Sequence, residues 1–308
     1  MNEIATVFGG TGFLGQRVVR ALVKAGYVVR VAARNPDAVD FSGAGNKIQR
    51  VAVDIRNDAE VRESVLGSTA VVNAVSLYVE KEALTFDAIH VEGADRVARY
   101  AKQSHVEHLV HISGIGVSTD SPSAFVRARA EGEQAVIKQF PGPIIVRPSV
   151  MCGRGDAFLA ALQQVARLPV APLFGRGNNK LQPVPVGNVA AAVARLAALD
   201  TKGRPDVYEL GGSEVHSYRQ LLELVMRHRG KQHPLVPVPF LLWQAVVKIL
   251  SVLPNPPLTR DQLILMQTDN VVGTGVKTFA DLSMAPRGFT DALRQTVPAK
   301  DAPHPASP

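Results

Sequence analysis

Between residues 4 and 147, short apolar runs alternate with stretches in which apolar side chains recur every three or four positions. The short runs predict strands at 4–8, 27–33, 48–53, 70–75, 108–113 and 143–147. The longer period predicts helices at 16–25, 58–65, 86–104 and 123–139, the first closed by Gly26. Strands separated by helical crossovers imply a parallel sheet covered on both faces. Beyond Arg147 the pattern loosens. Prolines gather at 169, 172, 183 and 185, at 234, 237 and 239, and at 254, 256 and 257, with helical stretches near 156–167, 188–199, 217–229, 240–253 and 259–267. The expectation is an α/β protein: a Rossmann-like, doubly wound parallel sheet over 1–150 with a return segment near 181–200, a smaller mixed C-terminal lobe over 151–297, and a disordered Pro/Ala-rich tail over 298–308.

Composition narrows the class. Of 308 residues, 46% are hydrophobic and 20% charged, which fits a globular chain with a sizeable core and excludes a disordered one. The net charge of +7 is uneven: 17 basic and 16 acidic side chains lie in 1–150, against 17 and 11 in 151–308. The second half therefore carries +6, which points to an anionic ligand, an acidic protein or an anionic membrane surface. Nucleic acid is disfavoured, because no block of consecutive Lys/Arg exists and Trp243 is the lone tryptophan. A single cysteine, Cys152, rules out an intrachain disulfide and a thiolate metal cluster, and suits a reducing compartment. No metal site is expected. The N-terminus lacks a basic start and cleavage site, and no apolar run reaches ~20 residues. These features favour a cytoplasmic protein, or one peripheral on the cytoplasmic face of an inner membrane (the matrix side if organellar).

The candidate chemistry begins at Gly9-Gly10-Thr11-Gly12-Phe13-Leu14-Gly15, between the first strand and first helix. A glycine at 12 lets backbone approach a pyrophosphate, and one at 15 lets helix pack on strand; the helix start then meets the phosphates with free N–H groups. Some twenty residues on, an NAD site offers an acid to the ribose 2′-hydroxyl. Here the second strand ends in Arg34, which suits a 2′-phosphate and favours NADP(H) over NAD(H). Asp54-Ile55, after the third strand, is a candidate for the adenine edge, with a plain turn role for Asp54 as the alternative.

Together with Val72-Asn73-Ala74, the fifth strand ending in Ser113 and Arg147-Pro148-Ser149, these motifs resemble the short-chain dehydrogenase/reductase superfamily in its extended, atypical (epimerase/dehydratase-like) branches, over about residues 3–297. The stretches HVEGA (90–94), SPSAFVRARAEGE (121–133), RPSVMCGRGDAFL (147–159) and PPLTRDQLILMQTDNVV (256–272) are similar to one subgroup, the nucleotide-binding accessory subunit of respiratory complex I and its bacterial relatives. The resemblance implies contacts to the cofactor from Gly9, Thr11, Gly12, Phe13, Leu14, Gly15, Arg34, Asp54, Ile55, Ala74 and Arg129. It also implies association with respiratory complex I or another membrane-associated protein, and peripheral contact with anionic lipid. Related proteins act in ubiquinone biosynthesis.

Catalysis in the superfamily needs a Tyr and a Lys four residues apart, with a Ser on the neighbouring strand. The matching positions here are Ser113, Phe125 and Arg129, and His90 stands where many extended members carry Asn. Phe125 has no proton to give, and a guanidinium is not an ammonium. The expectation is a retained cofactor site with degenerate chemistry, in an accessory or assembly protein of a respiratory NADH:ubiquinone oxidoreductase. The alternatives are a reductase or epimerase of ubiquinone or sugar-nucleotide metabolism, and an NADPH-sensing regulator. His90 and His111 are other proton carriers to weigh against plain structural roles. Tyr78 and Tyr100 are followed four residues on by Glu82 and Ser104, not Lys, so the spacing favours neither.

Three further features lie in the second half. Residues 240–253 form an apolar helix with a narrow polar stripe of Gln244, Lys248 and Ser251, which reads as a core helix or an interfacial one. Arg154, Arg167, Arg176 and Lys180 suit a phosphate-bearing ligand or plain solvation. Cys152 reads as a small buried residue.

Overall fold

The computed structural model describes residues 3–251, 253, 256 and 258–297. The expected tail at 298–308 lies outside these, as does part of 252–257. The chain divides into two compact units: Met1–Pro148 with Val186–Leu210 and Val272–Ala285, and Ser149–Pro185 with Gly211–Val271 and Pro286–Pro308.

The larger unit follows the alternation of apolar runs and helical stretches. Its elements are β1 (Ile4–Phe8), α1 (Gly15–Lys24), β2 (Val28–Ala33), β3 (Ile48–Ala52), α2 (Asp58–Val65), β4 (Ala70–Asn73), α3 (Gly93–Gln103), β5 (His108–Ile112), α4 (Ala124–Gln139) and β6 (Ile144–Pro148). The helix Val186–Leu196 and the strand Asp206–Leu210 complete it. The seven strands form one sheet in the order Asp206–Leu210, β6, β5, β4, β1, β2, β3, and every pairing is parallel. This is a doubly wound Rossmann-like sheet. The chain runs from β1 outward to β3, then returns to place β4 on the other side of β1. That reversal opens the crevice in which such sheets hold ligands, beyond the carboxyl ends of the strands.

Strands buried on both faces are mostly apolar, as in the fully buried β4, whose last residue, Asn73, is its one polar side chain. On the side of α2, α3 and α4 the core gathers Phe8, Val61, Val71, Val97, Leu109 and Ile145. α1 packs against the Val186–Leu196 helix. The helix expected over 86–104 is divided: Asp87–Glu92 form one wide turn with i to i+5 bonding, and the regular α3 begins at Gly93. Such a bulge often marks a functional position, and this one carries His90.

The smaller unit contains short ladders that the proline clusters obscured. Ala171–Phe174 pairs with Leu235–Val238 in parallel, and Pro172 and Pro237 sit within that pair. Two-stranded ladders have free edges, so a missing N–H is tolerated there. Helices Ala157–Val165, Tyr218–His228 and Arg260–Leu265 start at side-chain caps from Asp156, Ser217 and Thr259. Their core includes Leu159, Leu162, Leu173, Leu221, Val225 and Phe289.

The core-helix alternative for 240–253 is not what forms. In Phe240–Leu250 only Val247 is buried, while Leu241 and Ile249 are 75% and 71% exposed. Trp243 anchors the helix by donating its indole N–H to Leu173 O at 3.0 Å and packing on Phe174. Among the described residues no helix is long and apolar enough to cross a membrane.

Candidate functional site

Five of the residues singled out from the sequence fall just beyond the carboxyl ends of five adjacent strands: Gly9 after β1, Arg34 after β2, Asp54 after β3, Ala74 after β4 and Ser113 after β5. Parallel pairing puts all of these ends on one edge of the sheet.

The glycine loop is built for two different close approaches. Gly9 adopts φ +72° and donates its N–H to Ala32 O, and a Cβ there would press on the Ala74 carbonyl at 2.9 Å. Gly15 is buried, and a Cβ there would fall on the Gly9 carbonyl oxygen. Gly12 is different: it is exposed, and the Gly9 oxygen at 3.2 Å is its one near neighbour. No other described residue therefore uses the space over Gly12. α1 starts with no side-chain cap and no acid in its first turn, whereas Asn57 caps α2 and Ser123 caps α4. An open glycine at a helix start that has no side-chain cap is a fitting cradle for a pyrophosphate. Thr11 is half-buried in the loop; Leu14 is buried; Phe13 is covered by the Arg17 guanidinium at 4.5 Å.

At the expected adenosine end, Arg34 is exposed. Asp54 is engaged within the protein, since Arg56 grips its carboxylate with Nε at 3.0 Å and Nη2 at 2.6 Å. That grip, joined by the charge of Arg34, holds the Asp54 carboxyl below its usual range. Ile55 is buried and packs in the core. Arg56 carried no signal in the sequence, because a loop arginine two residues past an Asp is unremarkable.

The other end holds a buried polar cluster. Asn73 Nδ2 lies 3.3 Å from His111 Nδ1, and Asn73 Oδ1 accepts the Val75 N–H. The Ser113 N–H donates to Val146 O at 2.7 Å, but its buried hydroxyl has no partner among the described residues. From α4, Phe125 and Arg129 reach the same place. The Arg129 guanidinium sits 5.2 Å from the centre of the Phe125 ring, and its buried Nε–H has no partner among the described residues. Around Phe125 pack Tyr78, Phe86 and His90, with ring centres at 5.5, 5.6 and 5.5 Å. His90 Nε2 lies 3.0 Å from Leu77 O and 3.2 Å from the Leu77 N–H, so it anchors the backbone next to Tyr78. Unsatisfied buried donors are costly. One of them just past the end of β5 and one on α4 fit hydroxyls of a bound ribose or a carbonyl oxygen.

Burial, reinforced by the Arg129 charge, pushes His90 down to about 4 and His111 down to about 3. Both rings are neutral at pH 7 and are poor proton sources there. The unfolded chain protonates them near pH 6.5, so between about 6.5 and about 4 it binds more protons than the folded chain. Folding stability is therefore complete above pH 6.5 and falls as pH drops, by up to about 1.4 kcal/mol per pH unit for each histidine. Urea unfolding midpoints measured from pH 7.5 to 4.5 are expected to fall below pH 6.5 and to stay flat above it.

Elsewhere, Cys152 is buried and its thiol is pushed up to about 12 by burial and by Asp156, which leaves it unreactive near neutrality. Arg154, Arg167, Arg176 and Lys180 are all exposed. No cluster of three or more metal-ligating side chains occurs among the described residues.

The fold and the glycine cradle define a nicotinamide-dinucleotide-binding α/β protein. Residues 9–140 match the family model for NAD(P)H-binding proteins. The chain is 30% identical over 298 residues to the Arabidopsis thaliana mitochondrial NADH dehydrogenase (ubiquinone) 1 alpha subcomplex subunit 9, covering 92% of this chain and 74% of that one. It is also 30% identical to the Neurospora crassa NADH-ubiquinone oxidoreductase 40 kDa subunit, with 92% and 76% covered. The chain belongs to the family of these subunits. Among solved structures, an NADPH-dependent quinone oxidoreductase from Escherichia coli, complexed with NADPH, superimposes with a TM-score of 0.75 at 18% identity, covering 94% of this chain and 98% of that one.

Proposed function

We propose that the protein is an NADP(H)-binding accessory or assembly partner of a respiratory NADH:ubiquinone oxidoreductase. One observation carries the reading: the likeness to subunits of that enzyme spans 92% of the chain, well beyond the dinucleotide-binding stretch. Gly9, Thr11, Gly12 and the start of α1 hold the pyrophosphate, and Arg129 and Ser113 hold the nicotinamide end. When bound, the dinucleotide supplies a hydride donor or acceptor. The superfamily's ordinary proton donor is absent at Phe125, so in this reading the cofactor acts first as a ligand that stabilises the folded state.

The preference for the 2′-phosphorylated form rests on Arg34. It stands past the end of β2 with no acid at that strand end, while Asp54 is neutralised by Arg56. Arg34→Ala is expected to weaken NADPH binding by about tenfold to a hundredfold, the worth of a charge-assisted contact, and to leave NADH binding nearly unchanged. Fluorescence titration of both nucleotides measures this; equal losses for the two would remove the NADP assignment.

The smaller unit is the one that docks. Its exposed Leu241, Leu242, Val246 and Ile249 lie in the half of the chain with a net charge of +6. Exposed apolar side chains in a half of the chain with an excess of positive charge suit an anionic membrane surface. Leu241→Asp with Ile249→Asp is expected to abolish flotation with vesicles containing phosphatidylglycerol. Migration of the chain with the respiratory complex on a native gel tests the partner, and its absence there would remove the accessory reading.

A further inference from the structure

The phenol nearest the buried cluster does not come from α4. Tyr78 lies on the loop between β4 and the wide turn at Asp87–Glu92, and its ring packs on Phe125 with centres 5.5 Å apart, tilted by 30°. The Arg129 guanidinium packs on the same Phe125 ring, 5.2 Å from its centre. Arg129 also passes close to Gly114, next to Ser113: a Cβ built at Gly114 would stand 3.5 Å from Nη2. The buried guanidinium thus lies between the ring on which the phenol packs and Gly114, the neighbour of Ser113.

The loop is braced for this. His90 Nε2 holds the Leu77 backbone, the Phe86 N–H donates to Glu80 at 2.7 Å, and Lys81 and Leu84 exchange backbone hydrogen bonds at 3.0 and 2.9 Å. Tyr78 is nonetheless 58% exposed, so water reaches it. The requirement for a cation four residues downstream on the same helix fails for Tyr78, because the residue there is Glu82. The fold supplies the cation from α4 instead.

We propose that Tyr78, packed on the Phe125 ring that Arg129 also meets, is the proton donor to the oxygen of a flat, conjugated carbonyl acceptor bound beside Ser113. The acceptor takes a hydride, with its two electrons, from a reduced nicotinamide dinucleotide held at the glycine loop. Its oxygen takes one proton from the Tyr78 hydroxyl. The products are the reduced acceptor and the oxidised dinucleotide, and the phenolate recovers its proton from water. Ser113 donates its hydroxyl hydrogen to the same oxygen, and Arg129 steadies the phenolate while it exists. His90 and His111, neutral and buried, do not compete for the role.

The proposal rests on the dinucleotide-binding part of the reading above and adds a chemical step to it. The test uses the full chain, NADPH and 9,10-phenanthrenequinone as the probe, with wild type, Tyr78→Phe and the neighbouring Val79→Ala. NADPH affinity from fluorescence titration is expected to be equal in all three. Turnover of the probe in Tyr78→Phe is expected to fall by about 10²- to 10⁴-fold in kcat, the usual worth of a positioned acid, while Val79→Ala keeps the wild-type rate. Calorimetric binding of the probe to the NADP⁺-loaded protein is expected to weaken about two- to tenfold in Tyr78→Phe, from the lost hydrogen bond. NADPH binding without probe turnover in the wild type overturns the proposal, as does a Tyr78→Phe variant within threefold of wild type. Failure of every form to bind NADPH overturns the dinucleotide reading itself, and this proposal with it.

Discussion

Gly15→Ala is expected to yield little folded protein, whereas Gly12→Ala is expected to fold normally and lose its nucleotide. The added methyl at Gly15 lands on the Gly9 carbonyl oxygen, which already accepts the Gly12 N–H at 2.9 Å. Neither side has room to move: Gly9 is fixed at positive φ by the Ala74 backbone and by its own bond to Ala32, and α1 is packed through the fully buried Val18, Val19 and Leu22. A backbone-against-Cβ clash inside a close-packed core costs more than the roughly 1–3 kcal/mol typical of overpacking. At Gly12 the methyl meets one atom at 3.2 Å and otherwise enters open space. That space is where the pyrophosphate is expected, so NADPH affinity should drop by more than about a hundredfold, because misplaced phosphates lose several charge-assisted contacts. Circular dichroism and thermal unfolding separate the two variants, and NADPH titration of Gly12→Ala completes the comparison. A Gly12→Ala protein that binds NADPH like wild type would show that the dinucleotide lies elsewhere.

The two glycines also show how far a sequence can be read. The loop, the strand before it and the helix after it were legible because each rests on local spacing. The division of labour inside the loop was not, since it depends on which neighbour each glycine faces. Ser113, Phe125 and Arg129 were legible by resemblance to a family pattern, and the structure does bring them to one buried cluster. Tyr78 was illegible for a definite reason. Helical spacing reports partners four residues away, and the cation that shares the Phe125 ring with Tyr78 stands 51 positions on, in another element. The bulge at Asp87–Glu92 and Gly132 belong together in the same way. A glycine inside a helix costs about 1 kcal/mol, and nothing near it in sequence explains it. In the fold, a Cβ at Gly132 would fall on the His90 carbonyl. Backbone-to-backbone packing there lets α4 come close enough to place Arg129 against Gly114 and the Phe125 ring.

The same helix carries the other expectation of large effect. Arg147→Met should destabilise the protein by about 3–5 kcal/mol, the loss seen when one member of a buried charge network is removed. Arg147, on β6, reaches Glu133 on α4 with Nε at 2.9 Å and Nη2 at 2.6 Å, and Glu209 on the edge strand at 3.6 Å. Glu133 is 5% exposed and Glu209 is 7% exposed. Glu209 has a second tie, accepting the Gly273 N–H at 2.9 Å. Without the guanidinium, two carboxylates are left with no cation between them and too little water to solvate them. The defect is electrostatic, so it should be repaired by removing charge. Arg147→Met combined with Glu133→Leu is expected to regain about half of the loss, with the remaining Glu209 still partly supported by Gly273. Glu133 lies one turn beyond Arg129, so the single variant should also loosen α4 and weaken NADPH binding, and the double variant should restore both together. Urea unfolding with parallel NADPH titration measures the pair. Stability regained without nucleotide affinity would show that Arg147 supports the sheet but does not position Arg129.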